Sequence, residues 1–524
     1  MSTKLSIFPV LFFLIAAVSC KEHKTTVSES APVSEREKEK SRDIHLPSTD
    51  DHYRQVKSFV EEIPDADYKH APEDAYESFN DMKFGIRIHW GIYSIWQMDH
   101  ESWGFLKLTN EKKQEYQNLY KSFNPTGFNA EEWMSFFDSA GLKVFAFTTK
   151  HHEGFSMFDT KAHVKQRANY TAPGGPKIED CDLAYSIMET PFKRDIVKEL
   201  CDAAHKHKIK IDLYFSHPDW YDADFRPYNF HPLQTEDSRL NPLRNYCDSN
   251  NFKESFSNII TPQPTAEATE RMMARHRQQL TELLTNYGKI DMLCLDQWFG
   301  PMVWPQTKAT IKELRKIQPD VMLRCRGIGN YGDYYTPEGF TPGDKENTHM
   351  PWMVINTLGN TFSYDKVSAH YKGSPWIIRN LVDAVAKGGN FMVGIGPDGT
   401  GKFHPTAVKQ LLEAGKWLKI NGQGIYATRP RAAAWKEGEN IRYTTTKDKK
   451  YTYAFTLSWP GKQMTLQTVK PKKDSEIYML GYEKPLQWSY TKNSLVINIP
   501  EQFQNAALRP CQTAWGFKIE EGNN

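Results

Sequence analysis

The run Lys289-Ile290-Asp291-Met292-Leu293-Cys294-Leu295-Asp296 is apolar over a strand's length and stops on a carboxylate, followed by Gln297, Trp298, Phe299 and Gly300. A carboxylate at the tip of a buried strand is costly unless it is solvated or paired. Taken alone, Asp296 reads equally well as a helix cap or a loop residue. Other runs end in a similar way, and that recurrence constrains the fold. Phe84-Gly85-Ile86-Arg87-Ile88-His89-Trp90 carries His89 at its tip and stops at Gly91. Val144 to Lys150 leads straight into His151 and His152. The run from Ile209 to Ser216 has Tyr214 just inside its end and His217 just beyond it, and Val321 to Arg326 ends on an arginine. When parallel strands close into a barrel, their C-terminal tips form one rim, and that rim is where such folds place chemistry.

Helical patterns separate the runs. Asn129-Ala130-Glu131-Glu132-Trp133 opens one helix, which Gly141 closes. A second is expected to start at Thr190 as cap with Pro191 in its first turn, and its apolar residues Ile196, Val197, Leu200 and Ala204 keep helical spacing. A long helix spans about Thr265 to Asn286. Another begins at Ser374-Pro375, carries Ile377, Leu381 and Val385 on one face, and leads into Asn390 to Gly396. Repeated strand–helix units with near-continuous apolar strands predict an α/β fold. We expect a (β/α)8-type barrel over residues 55–425. After Gly422 short strands follow one another without helices, among them Ile441 to Thr445, Tyr451 to Phe455 and Leu495 to Ile499. Residues 426–524 therefore read as an antiparallel β-sandwich.

At the N-terminus, Lys4 precedes an apolar stretch from Ile7 to Val18, the length of a signal-peptide core and too short to cross a bilayer. It ends in Ala17-Val18-Ser19-Cys20, which resembles the lipobox of bacterial lipoproteins, so Cys20 is the expected acylation site. Residues 21–54 are charged and poor in apolar side chains, as expected of a disordered tether. The remaining cysteines, Cys181, Cys201, Cys247, Cys294, Cys325 and Cys511, are spaced neither as a disulfide framework nor as a zinc site. Lys and Arg number 66 against 64 Asp and Glu, which leaves no field to recruit nucleic acid. The only membrane association expected is the lipid anchor, in the periplasm or at the outer surface of a bacterial envelope.

Taken together, these motifs resemble the α-L-fucosidases of glycoside hydrolase family 29 over about residues 55 to 425. Phe84 to Gly91 is similar to that family's first-strand signature, Lys150-His151-His152-Glu153-Gly154-Phe155 to its second, and Lys387-Gly388-Gly389-Asn390 through Gly396-Pro397 to a later one. The resemblance implies an outer β-domain after the barrel and a retaining exo-glycosidase that releases α-linked L-fucose from oligosaccharides or polysaccharides without a cofactor. It places Asp296 as the nucleophile. Glu338, in Thr336-Pro337-Glu338, matches the acid/base position, with Glu346 the alternative. His89, His151, His152, Tyr214 and Arg326 carry over as sugar contacts. Glu101 and Trp103 resemble a Glu-Trp pair interrupted by Ser102, and Phe362 matches an aromatic near the C5-methyl of fucose.

The chain departs from the family pattern at three places. Cys294 stands where a tryptophan is common, Met353 follows Trp352 where a glutamate is usual, and Arg87 replaces an apolar residue. A pocket altered near C5 leaves α-L-galactosidase activity as an alternative. An inactive glycan-binding lipoprotein is a second. A metal-dependent hydrolase using His89, His151, His152 and Asp296 is disfavoured, because adjacent histidines on one strand face opposite ways.

Overall fold

Alternation with a period of two decides which side of each central strand meets the helices. The computed structural model describes residues 61, 63–228, 231–233, 262–297, 299, 301–339 and 350–522. Cys20, the leader, the tether, Cys247, Trp298, Gly300 and Glu346 lie outside the described residues. Seven parallel strands form one curled sheet: β1 (Phe84–Ile88), β2 (Val144–Lys150), β3 (Lys210–Ser216), β4 (Met292–Asp296), β5 (Met322–Leu323), β6 (Met353–Thr357) and β7 (Asn390–Ile395). Their order is β5-β4-β3-β2-β1-β7-β6. Along β1, Phe84, Ile86 and Ile88 join the large core beneath the helices, as do Leu293 and Leu295 of β4. The intervening side chains turn into the barrel.

An irregular eighth segment, 333–338, bridges the sheet's two edges. Tyr334 bridges to Arg324 beyond β5, while Tyr335 bridges to Trp352 and Glu338 to Ile355 on the β6 side. The Cys325 amide donates to the Tyr334 carbonyl at 2.9 Å, and the Ile355 amide to the Pro337 carbonyl at 3.0 Å. The apolar runs identified in the sequence include neither this segment nor β6. For the segment the cause is physical: Pro337 offers no amide to a ladder, and such a short, interrupted strand carries no period-two signal.

The helices cover the outside: α1 (Glu73–Met82), α2 (Ala130–Ser139), α3 (Ile196–His207), α4 (Ala266–Thr285), α5 (Trp304–Ile317), α6 (Ser374–Ala386) and α7 (Pro405–Asn421). Asn129 and Thr265 cap α2 and α4, as their side-chain chemistry favours. The start of α3 differs from expectation. Its cap is Asp195, whose carboxylate accepts from the Lys198 amide. The Thr190 hydroxyl instead donates back to the Ile187 carbonyl at 2.7 Å, ending a short 3-10 turn. Helix α6 takes Gly373 as its cap, because Ser374 donates its hydroxyl to Glu413. The α1 helix lies across the N-terminal end of the barrel, where Tyr76, Phe79 and Met82 pack on Val144, Met292, Met322, Met353 and Met392. The barrel is thus apolar below and polar above.

Beyond α7, a six-stranded and a three-stranded antiparallel sheet enclose a second core that includes Tyr443, Leu466, Ile497 and Phe517. This domain is tied to the barrel by Arg442 Nε donating to Asp383 at 2.6 Å and by Trp417 Nε1 donating to the Ala514 carbonyl at 2.8 Å. Among the described residues, no helix is long and apolar enough to cross a membrane.

Candidate active site

The polar upper layer of the barrel opens into a cavity of about 690 Å³ lined by Arg87, His89, Glu101, Trp103, His151, Tyr214, Asp296, Glu338 and Phe362, with Asp99, His100, Gly104 and Lys107 at its edge. Period-two alternation on β4 points Cys294 and Asp296 inward. The neighbouring β3 does the same with Tyr214, and the Ser216–Asp296 register brings the two tips level. Tyr214 Oη donates to Asp296 Oδ2 at 2.6 Å, and Arg326 Nη1 donates to Asp296 Oδ1 at 2.7 Å. Arg324 Nη1 reaches the same oxygen at 3.4 Å. Burial by itself would raise Asp296. Arg326, Arg324 and His152, with the Tyr214 hydrogen bond, overcome that and hold its carboxyl well below the usual range. Asp296 is therefore a stable anion although it is only 6% exposed.

Glu338 is more open, with 25% side-chain exposure. Its Oε1 lies 3.0 Å from Arg324 Nη2 and 3.1 Å from Arg326 Nη1. Arg326 Nη1 therefore touches both carboxylates. The separation between those two oxygens is at most its two contact lengths laid end to end. That is short of the roughly 6.5–9.5 Å that leaves room for a water between an inverting pair, and it is compatible with the roughly 5–5.5 Å of a retaining one. Arg324 was not among the residues singled out from sequence. Its signal was available, since Arg324 and Arg326 stand two apart and must face the same side of an extended strand.

Three imidazoles stand in this layer, His89 and His151 lining the cavity and His152 beside Asp296. Burial depresses all three: His89 and His151 fall well below their ordinary value, and His152 drops to about 4. They are neutral at physiological pH and can each accept as well as donate a hydrogen bond. The His151 ring stacks on Tyr214, with centroids 5.4 Å apart, and its Nδ1 is hydrogen-bonded to the Ser102 hydroxyl. His152 Nε2 lies 3.8 Å from Asp296 Oδ2 and does not line the cavity, so its role is beside the carboxylate. The Trp103 ring stands edge-on to His152 at 4.9 Å.

Glu101 is placed by two consecutive left-handed residues, His100 (φ 64°) and Glu101 itself (φ 54°). Its Oε1 accepts from the Thr361 hydroxyl at 2.9 Å and from the Phe362 and Ser363 amides at 2.9 and 3.0 Å. It thus clamps the turn that carries Phe362. The Phe362 ring packs 4.9 Å from His89 and against Gly394, where a Cβ would meet the ring at 2.4 Å. Gly327 (φ +81°) has a comparable duty on the far side, since a Cβ there would lie 2.1 Å from the Gln297 carbonyl oxygen. Among the described residues, no group of three or more His, Cys, Asp or Glu side chains could hold a metal ion.

Comparison with known proteins gives a consistent picture. The family model described as alpha-L-fucosidase matches residues 55–423, and that of the alpha-L-fucosidase C-terminal domain matches residues 436–520. The chain is 27% identical over 469 residues to human tissue alpha-L-fucosidase, covering 84% of this chain and 88% of that protein. Among solved structures, alpha-L-fucosidase isoenzyme 1 from Paenibacillus thiaminolyticus superposes with a TM-score of 0.67 at 25% identity, covering 86% of this chain and 99% of that one. A family 29 alpha-L-fucosidase from Bacteroides thetaiotaomicron shares the fold, with a TM-score of 0.67 at 23% identity over 87% of this chain and 97% of that one.

Proposed function

The chain belongs to the alpha-L-fucosidase family, and from that premise we propose that its barrel hydrolyses terminal α-L-fucosides with Asp296 as nucleophile and Glu338 as acid/base. The observation that supports the pairing is the single Arg326 nitrogen shared by the two carboxylates. In the first step an Asp296 oxygen forms a bond to C1 of the sugar. The bond from C1 to the leaving oxygen breaks, its electron pair goes to that oxygen, and Glu338 supplies the proton. In the second step a water attacks C1 and gives its proton to Glu338, and the C1–Asp296 ester bond breaks, returning the electron pair to the carboxylate. Two inversions leave the sugar with its original configuration. Arg326, Arg324 and Tyr214 stabilise Asp296 both as the attacking anion and as the departing one.

The roles separate by product. With an aryl α-L-fucoside and azide, Asp296→Gly is expected to yield β-L-fucosyl azide and Glu338→Ala the α-azide. Identical products from both variants would refute the assignment. A folded protein that binds L-fucose and turns nothing over would favour the reading as a glycan-binding lipoprotein.

We further propose that the chain is a lipid-anchored protein of a bacterial cell envelope, in the periplasm or at the outer-membrane surface. The short apolar stretch from Ile7 to Val18 and the Ala17-Val18-Ser19-Cys20 sequence support this reading. Fucosylated oligosaccharides or polysaccharide fragments are its proposed partners there. Expression in a bacterium with labelled fatty acid is the test: label must appear in the full-length chain and vanish in Cys20→Ala.

A further inference from the structure

The cavity holds one guanidinium that the proposed chemistry does not use. Arg87 lines it while being only 2% exposed. Its Nε and Nη1 are buried without a hydrogen-bond partner among the described residues. Its guanidinium lies over the Tyr214 ring, 4.6 Å from the centroid, which satisfies none of its N–H groups. The other two arginines of this layer are engaged, Arg326 with Asp296 and both with Glu338. Burial pushes the Asp212 carboxyl up to about 6 against the pull of Arg87 and Arg324, and no described acceptor reaches Arg87 Nε or Nη1. A buried donor left without an acceptor loses the solvation it had in water and gains nothing in return.

The position of Arg87 indicates which part of a sugar would reach it. Strand β1 lies three places from β4 in the sheet order, so Arg87 faces the Asp296 strand from across the barrel. A pyranose seated with C1 on Asp296 would extend across the cavity towards β1 and β7, and its C5 substituent is the part suited to the Phe362 wall on that side. Neutral His89 and His151 are there for ring hydroxyls. The Cα partner of Arg87 in the β1–β7 register is Gly394, the glycine that receives the Phe362 ring. An apolar wall and an unpaired donor are thus adjacent. A methyl group on C5 would satisfy the wall and leave the donor unpaired, whereas a hydroxymethyl group would satisfy both.

Resting on the glycosidase reading above, we propose that Arg87 is a specificity-determining residue that binds an oxygen on C6, so that the site favours α-L-galactosides over the corresponding 6-deoxy α-L-fucosides. A site built to hydrogen-bond a hydroxyl discriminates strongly against the analogue lacking it, because its own polar groups are then left unpaired.

The test compares kcat/KM for aryl α-L-galactoside and aryl α-L-fucoside in the wild-type protein and in Arg87→Met. Calorimetry of free L-galactose and L-fucose binding to each protein accompanies it. The galactoside is expected to be preferred by the wild type, and the galactoside-to-fucoside ratio to fall at least about tenfold in Arg87→Met. A role only through Tyr214 would slow both substrates alike and leave the ratio unchanged, which would overturn the proposal. A tenfold wild-type preference for the fucoside would do the same, and that reading needs no variant. If Arg87→Met does not fold, Arg87→Lys replaces it, with a smaller fall in the same ratio expected. Turnover of neither substrate by the folded wild type refutes the glycosidase reading instead, and the binding preference between the two free sugars then decides for or against Arg87.

Discussion

Tyr214 Oη donates to Asp296 Oδ2 at 2.6 Å, and the same ring is covered on one side by His151 and on another by Arg87. The orientation of the carboxylate is therefore set by a side chain that cannot itself turn without displacing two neighbours. In Tyr214→Phe the packing survives and the hydrogen bond does not. We expect kcat/KM to fall by about 10- to 150-fold, which corresponds to the roughly 1.5–3 kcal/mol of a hydrogen bond to a charged group. Steady-state kinetics with an unchanged melting temperature would show this, and a fall below threefold would contradict it.

The guanidinium pair sets the acid side of the pH profile. Asp296 must be ionised to attack. Burial would raise its pKa, but Arg326 and Arg324 hold it well below the ordinary value. Activity therefore persists as pH falls through the usual carboxylate range and is lost only below it. Arg326→Met leaves burial less opposed, so the acid limb of kcat/KM should move to higher pH. A limb that stays in place would show that Asp296 does not control it.

Glu101 acts on the sugar pocket through the Thr361–Ser363 turn as well as from the cavity wall. Glu101→Ala removes one acceptor from three donors at once. We expect KM to rise about tenfold or more with a smaller change in kcat, because the aromatic wall loosens while the Asp296–Glu338 pair is untouched. A pure kcat effect would contradict that placement.

Glu153 is pushed up to about 8, chiefly by burial. Its folded pKa lies above its unfolded value, so it contributes stability that is present below about pH 4.5 and is lost as pH rises towards 8. Wild type relative to Glu153→Gln should lose stability across that window, with a slope of at most roughly 1.4 kcal/mol per pH unit. Urea unfolding at three pH values checks it. His152, with a folded pKa of about 4, works in the opposite sense: its contribution is present above about pH 6.5 and fades as pH falls towards 4.

At the closed end of the barrel, Phe79 is 2% exposed and its ring lies 5.1 Å from that of Tyr334. Phe79→Ala opens a cavity under the strands and should cost about 3–5 kcal/mol. Because Tyr334 belongs to the bridging segment that ends in Glu338, the variant should also lose activity below its own melting temperature. Full activity at 25 °C would show that the segment is held from elsewhere.

Local patterning determined a good deal of this protein. The near-continuous apolar runs of β1 to β4, the helical spacing in α3 and α6, and the return to short strands after Gly422 are all written in neighbouring residues, because burial is decided over a few positions. The same patterning puts Asp296, Tyr214, His89 and His151 at or near strand ends, and so on one rim once the strands are parallel. Tertiary structure decided what those residues meet. Arg324 stands 28 residues from Asp296 in the chain, and Glu101 stands 260 from Thr361. Such contacts depend on strand order and register, which no short window encodes. The bridging segment 333–338 takes its extended form from the two edges it joins, and at the start of α3 the Thr190 hydroxyl closes the preceding 3-10 turn while Asp195 caps the helix with one oxygen and holds the Asp159 amide and Tyr287 hydroxyl with the other. The guanidinium of Arg87 belongs with these: its sequence shows an arginine in an apolar run, and only the closed barrel shows that no described residue answers its Nε and Nη1.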